Sequence, residues 1–533
     1  MSPVTESAAR TSLTRFFEIL PATLAWLTFI LMFVFSWFAP FWVAIFIILF
    51  DTYWLLKTIY LSFHLRATFV EMRRVTKINW LDKLKQRAEP RYTADMATME
   101  TMPAMMQRPH WADIYHLVIL PMYNEPYEVV RESFESLSKI NYPKERLFVV
   151  LALEEAGGDA PKQMAERLED EFGMTFGRFM VTIHPRGLPG EIPGKGSNEA
   201  WAGRHAKEKI LDALHLPYAN VLTSVFDIDT QVFPEYFARL TYVFLTTERD
   251  PLRAIYQPIP FLTNNIHEAP ALARVVAFSM TFWQMMQQSR PERLTSFSSQ
   301  SIPFQTLLDI GFWNRDIVSE DSRVFWQGYL RYHGDFRVEP LFYPISMDAN
   351  VAPTFWGTMK NIYKQQRRWA WGAENIPYML EGFRHDPEIP KAKKRYWIFN
   401  TIEGFHSWAT NSLMIFALGW LPLWLGGRNF GASLLAYNLP HITRWIVTLS
   451  MLGIVTSAIL AIILLPKKEG GLKPMDYFTY FIQWVLMPIT LIIFGAFPAV
   501  EAQTRLAIGG KYRLGFWVTP KSRKKENQDS NLL

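Results

Sequence analysis

Apolar residues gather toward the two ends of the chain and thin out between them. Residues 20–38, LPATLAWLTFILMFVFSWF, carry no charge over about the length a helix needs to cross the hydrocarbon core. They predict a spanning helix. Residues 41–63 predict a second, interrupted only by Asp51 and by Lys57, whose long stem can snorkel to the interface, and Pro40 supplies the break between the two. A cleaved signal peptide would explain the first run alone, but a second run follows at once with no A-x-A-like site between them. No comparable run occurs from 64 to 395; three more apolar segments then appear at 397–425, 442–465 and 477–500. The pattern is a polar insert between two membrane regions.

Basic residues cluster at 384–395, 467–473 and 511–525, so the positive-inside rule puts the insert in the cytoplasm. A single pass through 477–500 would leave the basic tail outside, whereas a segment broken or re-entrant at Pro488 keeps it inside; the second is the expectation. The resulting division is a transmembrane hairpin at 1–63, a cytoplasmic domain at 64–354 and interfacial amphipathic helices at 355–395. Transmembrane helices at 396–505 and a basic cytoplasmic tail at 506–533 complete it. The expected location is the cytoplasmic membrane.

Inside the insert the periodicity changes. YHLVIL (115–120), LFVVLA (147–152), VTIH (181–184), NVLTSVFD (220–227) and RAIYQ (253–257) read as strands, with VVRESFESLS (129–138) as a crossover helix. Alternation of this kind predicts an α/β domain with a mostly parallel, Rossmann-like sheet. Ligands of such sheets bind beyond the carboxyl ends of the strands. Those ends are polar: PMYNEPYE (121–128) follows the first run, EEAGGD (154–159) the second and DIDT (227–230) the fourth.

Two aspartates spaced i, i+2 at a strand end can aim oxygens at one hard cation, which nominates Asp227 and Asp229. The plainer reading is that they cap a helix beginning near Pro234. In SED (319–321) a carboxylate can act as general base toward a hydroxyl, or Ser319 can simply cap a helix. The stretch YKQQRRWAWGAEN (363–375) crowds arginines, glutamines and tryptophans just ahead of the apolar C-terminal region. On a helix, Gln365, Arg368 and Trp369 fall at i, i+3 and i+4 and share a face. An arginine fork with an amide can hold diphosphate oxygens while an indole stacks on a sugar ring. Alternatively Trp356, Trp369 and Trp371 merely anchor the helix in lipid headgroups.

Composition agrees with a membrane protein. At 533 residues the chain exceeds the ~250–300 at which one core stops growing, and 50% of it is apolar, with 40 Phe and 20 Trp. With no cysteine, disulfides, thiolate catalysis and cysteine-ligated metals are excluded. A net charge of +6 spread over short loops points to an anionic membrane face or small substrate rather than nucleic acid.

PMYNEP, DID, SED and QQRRW fall in the same order, and at roughly the same separations, as the motifs of processive family 2 membrane glycosyltransferases. Nearly the whole chain resembles the cellulose-synthase-like and hyaluronan-synthase-like enzymes of that family. The resemblance implies a GT-A-type domain inserted between transmembrane helices. It implies that Tyr123 and Glu125 border the nucleotide base, with Glu154 or Glu155 where relatives usually carry aspartates; this difference leaves the nucleotide open, a UDP-sugar being the expected donor. PGKGSN (193–198) resembles the element whose lysine approaches the phosphates, nominating Lys195, although a solvated loop lysine is the alternative. Asp227 and Asp229 match the metal and diphosphate pair, for Mg²⁺ or Mn²⁺. Asp321 matches the catalytic base, with Glu320 beside it and Ser319 replacing the usual threonine. Gln365 and Arg368 match donor-binding positions and Trp369 an acceptor platform.

The implied activity is inverting, metal-dependent transfer of a hexosyl group from a nucleoside-diphosphate donor to a growing β-linked polysaccharide, secreted through the enzyme's own helices. Two other readings stay open: a non-processive transferase acting on a lipid carrier or headgroup, and an inactive glycosyltransferase-like membrane scaffold. The sequence identifies no partner subunit.

Overall fold

The computed structural model describes residues 12–88, 108–468, 470–515 and 517–520; the end of the basic tail lies outside them. At the centre is an eight-stranded sheet: β1 (Tyr115–Met122), β2 (Leu147–Glu154), β3 (Arg178–His184), β4 (Val221–Val225), β5 (Gln231–Val232), β6 (Ala254–Leu262), β7 (Ser301–Pro303) and β8 (Arg337–Met347). Their order is β3-β2-β1-β4-β7-β6-β8-β5. β1 pairs in parallel with β2 and β4, β2 with β3, and β6 with β8, whereas the short β7 and β5 run antiparallel to their neighbours. The expected α/β architecture with a mostly parallel sheet is present.

Why the central strands read so clearly follows from their burial. Along β1 and β2, Val118, Leu120, Val149 and Leu151 enter one hydrophobic core. Leu117, Ile119, Phe148 and Val150 enter the core on the opposite face. Both faces are covered, so the strands are continuously apolar rather than alternating.

Helices Ser12–Phe38, Pro40–Val75, Leu434–Ile463 and Pro474–Ile508 are long and apolar enough to cross a membrane, and Lys391–Phe416 with Leu418–Leu425 forms a pair bent by 49°. Trp37, Phe38 and Trp42, where the first two meet, are 62%, 79% and 73% exposed, which only an apolar environment favours. The expected break at Pro488 is absent. A 3₁₀ turn at Gln483–Leu486 is followed by a new α turn with Pro488 in its first positions, where a missing N–H costs little, and the helix runs on.

That helix is tied to the α/β domain near both ends. Arg274 Nε donates to Gln483 Oε1 at 2.7 Å, and His267 Nδ1 lies 2.8 Å from the Tyr480 hydroxyl. Further along, the Tyr363 hydroxyl donates to Glu501 at 2.8 Å and Arg367 pairs with the same carboxylate. Arg15, at the start of the first helix, donates to the carbonyls of Leu506, Ala507 and Ile508. Its end therefore returns to the side of the molecule where the chain enters its first apolar helix.

Candidate active site

The site is assembled where the carboxyl ends of β1, β2 and β4 meet the starts of two helices. Beyond β1, Glu125 Oε2 accepts from the backbone N–H groups of Tyr123 and Asn124 at 2.8 and 3.1 Å, folding the loop over the strand end. The loop after β2 presses on it so closely that a Cβ on Gly157 would sit 2.6 Å from the Tyr123 carbonyl oxygen.

Of the two adjacent glutamates, Glu154 lines the central cavity. Glu155 turns away and accepts from the Arg186 N–H at 2.8 Å. Glu154 Oε2 lies 3.0 Å from His184 Nδ1, and His184 Nε2 lies 2.8 Å from Glu191, which Arg315 holds in turn at 2.6 Å. Burial alone would lower the His184 pKa; hydrogen bonds to Glu154 and Glu191 outweigh it and raise it.

Lys195 is not a solvated loop lysine. It opens helix Lys195–Ala206, is 9% exposed, and its Nζ lies 2.9 Å from both Asp227 Oδ1 and Asp321 Oδ1. Glu199 and Glu320 stand behind at 3.4 and 3.7 Å. The start of helix Glu320–Arg331 packs so near that a Cβ on Gly196 would lie 2.7 Å from the Asn314 carbonyl oxygen and 3.0 Å from Glu320 Cβ. Two helix N-termini, each favourable to negative charge, thus converge on the lysine.

Neither aspartate of DID caps a helix; the next one is Tyr236–Thr246, preceded by Glu235. Asp227 Oδ2 accepts from the Ser298 hydroxyl at 2.6 Å. Asp229 is nearly buried and its Oδ2 accepts from the Asp348 N–H at 2.9 Å. Ser319 sits at the N-cap position without capping: its hydroxyl donates to Glu374 Oε1 at 2.6 Å. Ser296 and Gln300 donate to the Asp321 carbonyl at 2.6 and 3.2 Å, fixing the backbone of the candidate base.

Gln365, Arg368 and Trp369 do lie on one helix, Phe355–Ala370, and all three line the same cavity. Trp369 meets Phe297 edge-on at 5.9 Å. Trp371 is no membrane anchor: it is 1% exposed and its indole N–H donates to Glu374 at 2.9 Å, while Trp356 is 79% exposed.

One correction and one omission concern carboxylates. Glu320 is 1% exposed and does not line the cavity, so of the pair only Asp321 faces it. Glu199, which no motif flagged, is fully buried. Glu199, Glu320 and Asp321 are the trio whose oxygens come within 4.8 Å of one another among the described residues. Burial, then Asp321, raises the Glu320 pKa, and burial raises that of Glu199 despite the nearby Lys195. A carboxyl whose folded pKa is raised stabilises fully below its unfolded pKa, about 4.3, and loses that contribution as pH climbs toward the folded value. Stability should therefore fall from weakly acidic toward neutral pH, and less steeply in Glu320→Gln, as thermal melts across that range would show.

The cavity has a volume of about 1350 Å³. Tyr123, Glu125, Lys195, Asp227, Asp229 and Asp321 line its domain end, and it continues between the apolar helices past Trp54, Thr58, Ser407, Trp408 and Ser450.

No protein-family description matches the chain, and no curated protein matches its sequence. Similar solved structures include the mannosyltransferase PcManGT from Pyrobaculum calidifontis in complex with GDP-Man and Mn²⁺, 16% identical, TM-score 0.37, covering 82% of this chain and 98% of that one. S. aureus TarS 1-349 in complex with UDP-GlcNAc is 12% identical, TM-score 0.35, over 75% and 93%. GalNAc-T7 with UDP, GalNAc and Mn²⁺ is 11% identical, TM-score 0.34, over 55% and 57%. Likeness this slight carries no weight for the chemistry of this chain, which is argued from its own residues.

Proposed function

We propose that the protein is an integral-membrane glycosyltransferase of GT-A type that moves a sugar from a nucleoside-diphosphate donor to an acceptor hydroxyl with inversion. The observation that carries this reading is Lys195, which joins a strand-end aspartate to the candidate base inside one cavity that Arg368 and Trp369 also line. A diphosphate needs cations without a competing nucleophile, and Lys195 and Arg368 supply them. The acceptor oxygen attacks the anomeric carbon, its proton passes to the Asp321 carboxylate, and the bond from that carbon to the diphosphate oxygen breaks on the opposite face. Glu154 and Tyr123 border the base, and Trp369 offers a ring face to the acceptor sugar.

Asp227 and Asp229 are hard oxygen donors on the same cavity wall and suit Mg²⁺ or Mn²⁺. Such an ion, when bound, offsets charge on the leaving diphosphate. Asp229→Asn keeps an acceptor for the Asp348 N–H, so the variant should fold yet lose metal-dependent turnover. Unchanged turnover with chelator sensitivity intact would remove the assignment.

The finer reading is that the acceptor is a growing β-linked polysaccharide, because the cavity runs on between helices past hydroxyls and tryptophans suited to a glycan. The α/β domain then lies on the cytoplasmic side of the cytoplasmic membrane. Trp369→Ala should cost stacking worth about 0.5–1.5 kcal/mol and suppress elongation while sparing donor hydrolysis. Arg368→Ala should lose a diphosphate contact of about 1.5–3 kcal/mol and impair donor use. Products sized after incubation in lipid nanodiscs test both. Single-sugar products from wild type would favour a lipid carrier or headgroup as acceptor, and equal product lengths from Trp369→Ala would make that tryptophan structural.

A further inference from the structure

The segment that leads from helix Ala271–Gln288 to β7 connects two very different environments. At its far end Ser296 and Ser298 hold Asp321 and Asp227. At its near end, beside the membrane helix Pro40–Val75, stands Arg290. This arginine is 5% exposed, its Nε is buried without a partner, and it lines the cavity. Among the described residues the Tyr60 ring lies 5.6 Å away, His64 and Tyr396 lie within electrostatic reach, and no carboxylate forms a direct ion pair with it.

A buried guanidinium left without a counter-ion is strongly destabilising, so its retention calls for a ligand that supplies the charge. We propose that this end of the cavity binds the phosphate of an anionic membrane-lipid headgroup, with Arg290 as its principal group. The planar fork of an arginine matches phosphate oxygens. The surroundings are cationic: Lys57 and Arg293 approach Glu403 at 2.9 and 3.7 Å, leaving positive charge in excess once Arg290 is counted. Glu292, exposed, acts on the same His64 and Tyr396 as Arg290 does; with it counted, three cations still face two carboxylates.

Position selects a lipid over a soluble anion. Tyr60 and Tyr396, 49% and 37% exposed, stand near Arg290 with the amphipathic side chains typical of a membrane interface. His64, one turn beyond Tyr60, is held by Ser289 at 2.8 Å, docking the apolar helix against the segment. The proposed donor diphosphate has its own cations, Lys195 and Arg368, elsewhere on the cavity lining. The site is independent of whether sugar is transferred, and binding rather than turnover is its readout.

Detergent-purified full-length protein, stripped of lipid, would be titrated with phosphatidylglycerol and with phosphatidylcholine and bound lipid counted by native mass spectrometry. Wild type should hold phosphatidylglycerol preferentially, and Arg290→Gln should weaken that binding about tenfold to a hundredfold, the loss of a charge-assisted contact. Arg290→Lys should retain part of it, which separates lost charge from lost fold; thermal melting of each variant is the control. Equal phosphatidylglycerol binding by wild type and Arg290→Gln would overturn the proposal. So would displacement by inorganic phosphate, which would mark a soluble-phosphate site, or by a uronate disaccharide, which would mark an acidic glycan.

Discussion

Asp321→Asn should lower glycosyl transfer about 10²–10⁴-fold, the usual contribution of a general base, while donor affinity stays near that of wild type. The substitution keeps the side chain's shape and an oxygen for Lys195, so the wall of the cavity persists. What disappears is the carboxylate proposed to take the acceptor proton, and a base is needed only as the transition state forms. Donor binding by calorimetry and turnover by diphosphate release separate the two. Weakened binding with normal turnover would make Asp321 a donor contact and leave the base unassigned.

Lys195→Met should be as damaging by another route. It deletes the one cation that, among the described residues, touches Asp227, Asp321, Glu199 and Glu320 together, and removing one partner from a buried ion pair costs about 3–5 kcal/mol. The remaining carboxylates repel one another and take up protons. The loss should therefore be largest near neutral pH and shrink as pH falls, and Glu199→Gln added to Lys195→Met should recover part of it. A melting temperature unchanged from wild type would show that the four carboxylates do not depend on this lysine.

How much of this could be read from the chain differs by element. β1, β2 and β4 were legible because both faces are buried and their runs are uninterrupted. β8 was not: Pro340 and Pro344 break its pattern, and its pairing with β6 shifts register after Gln257. The choice between Glu154 and Glu155 needed the backbone, because neighbouring residues at a strand end point to opposite sides. Gln365, Arg368 and Trp369 could be grouped by helical spacing alone. Glu199 lies one turn beyond Lys195 on its helix, a spacing that signals a pair, yet its burial and its approach to Glu320, 121 positions along the chain, are set by the fold. Pro488 suggested a break because the 3₁₀ turn that accommodates it is set by the packing of Gln483 and Trp484, both buried, against the domain.

The central claim is that this cavity transfers sugar from a nucleotide donor. Full-length protein in lipid nanodiscs, incubated with a panel of UDP- and GDP-sugars plus Mg²⁺ or Mn²⁺, should release diphosphate from at least one donor, and Asp321→Asn should not. Release from no donor with either ion would contradict the account and leave a glycosyltransferase-like scaffold in its place.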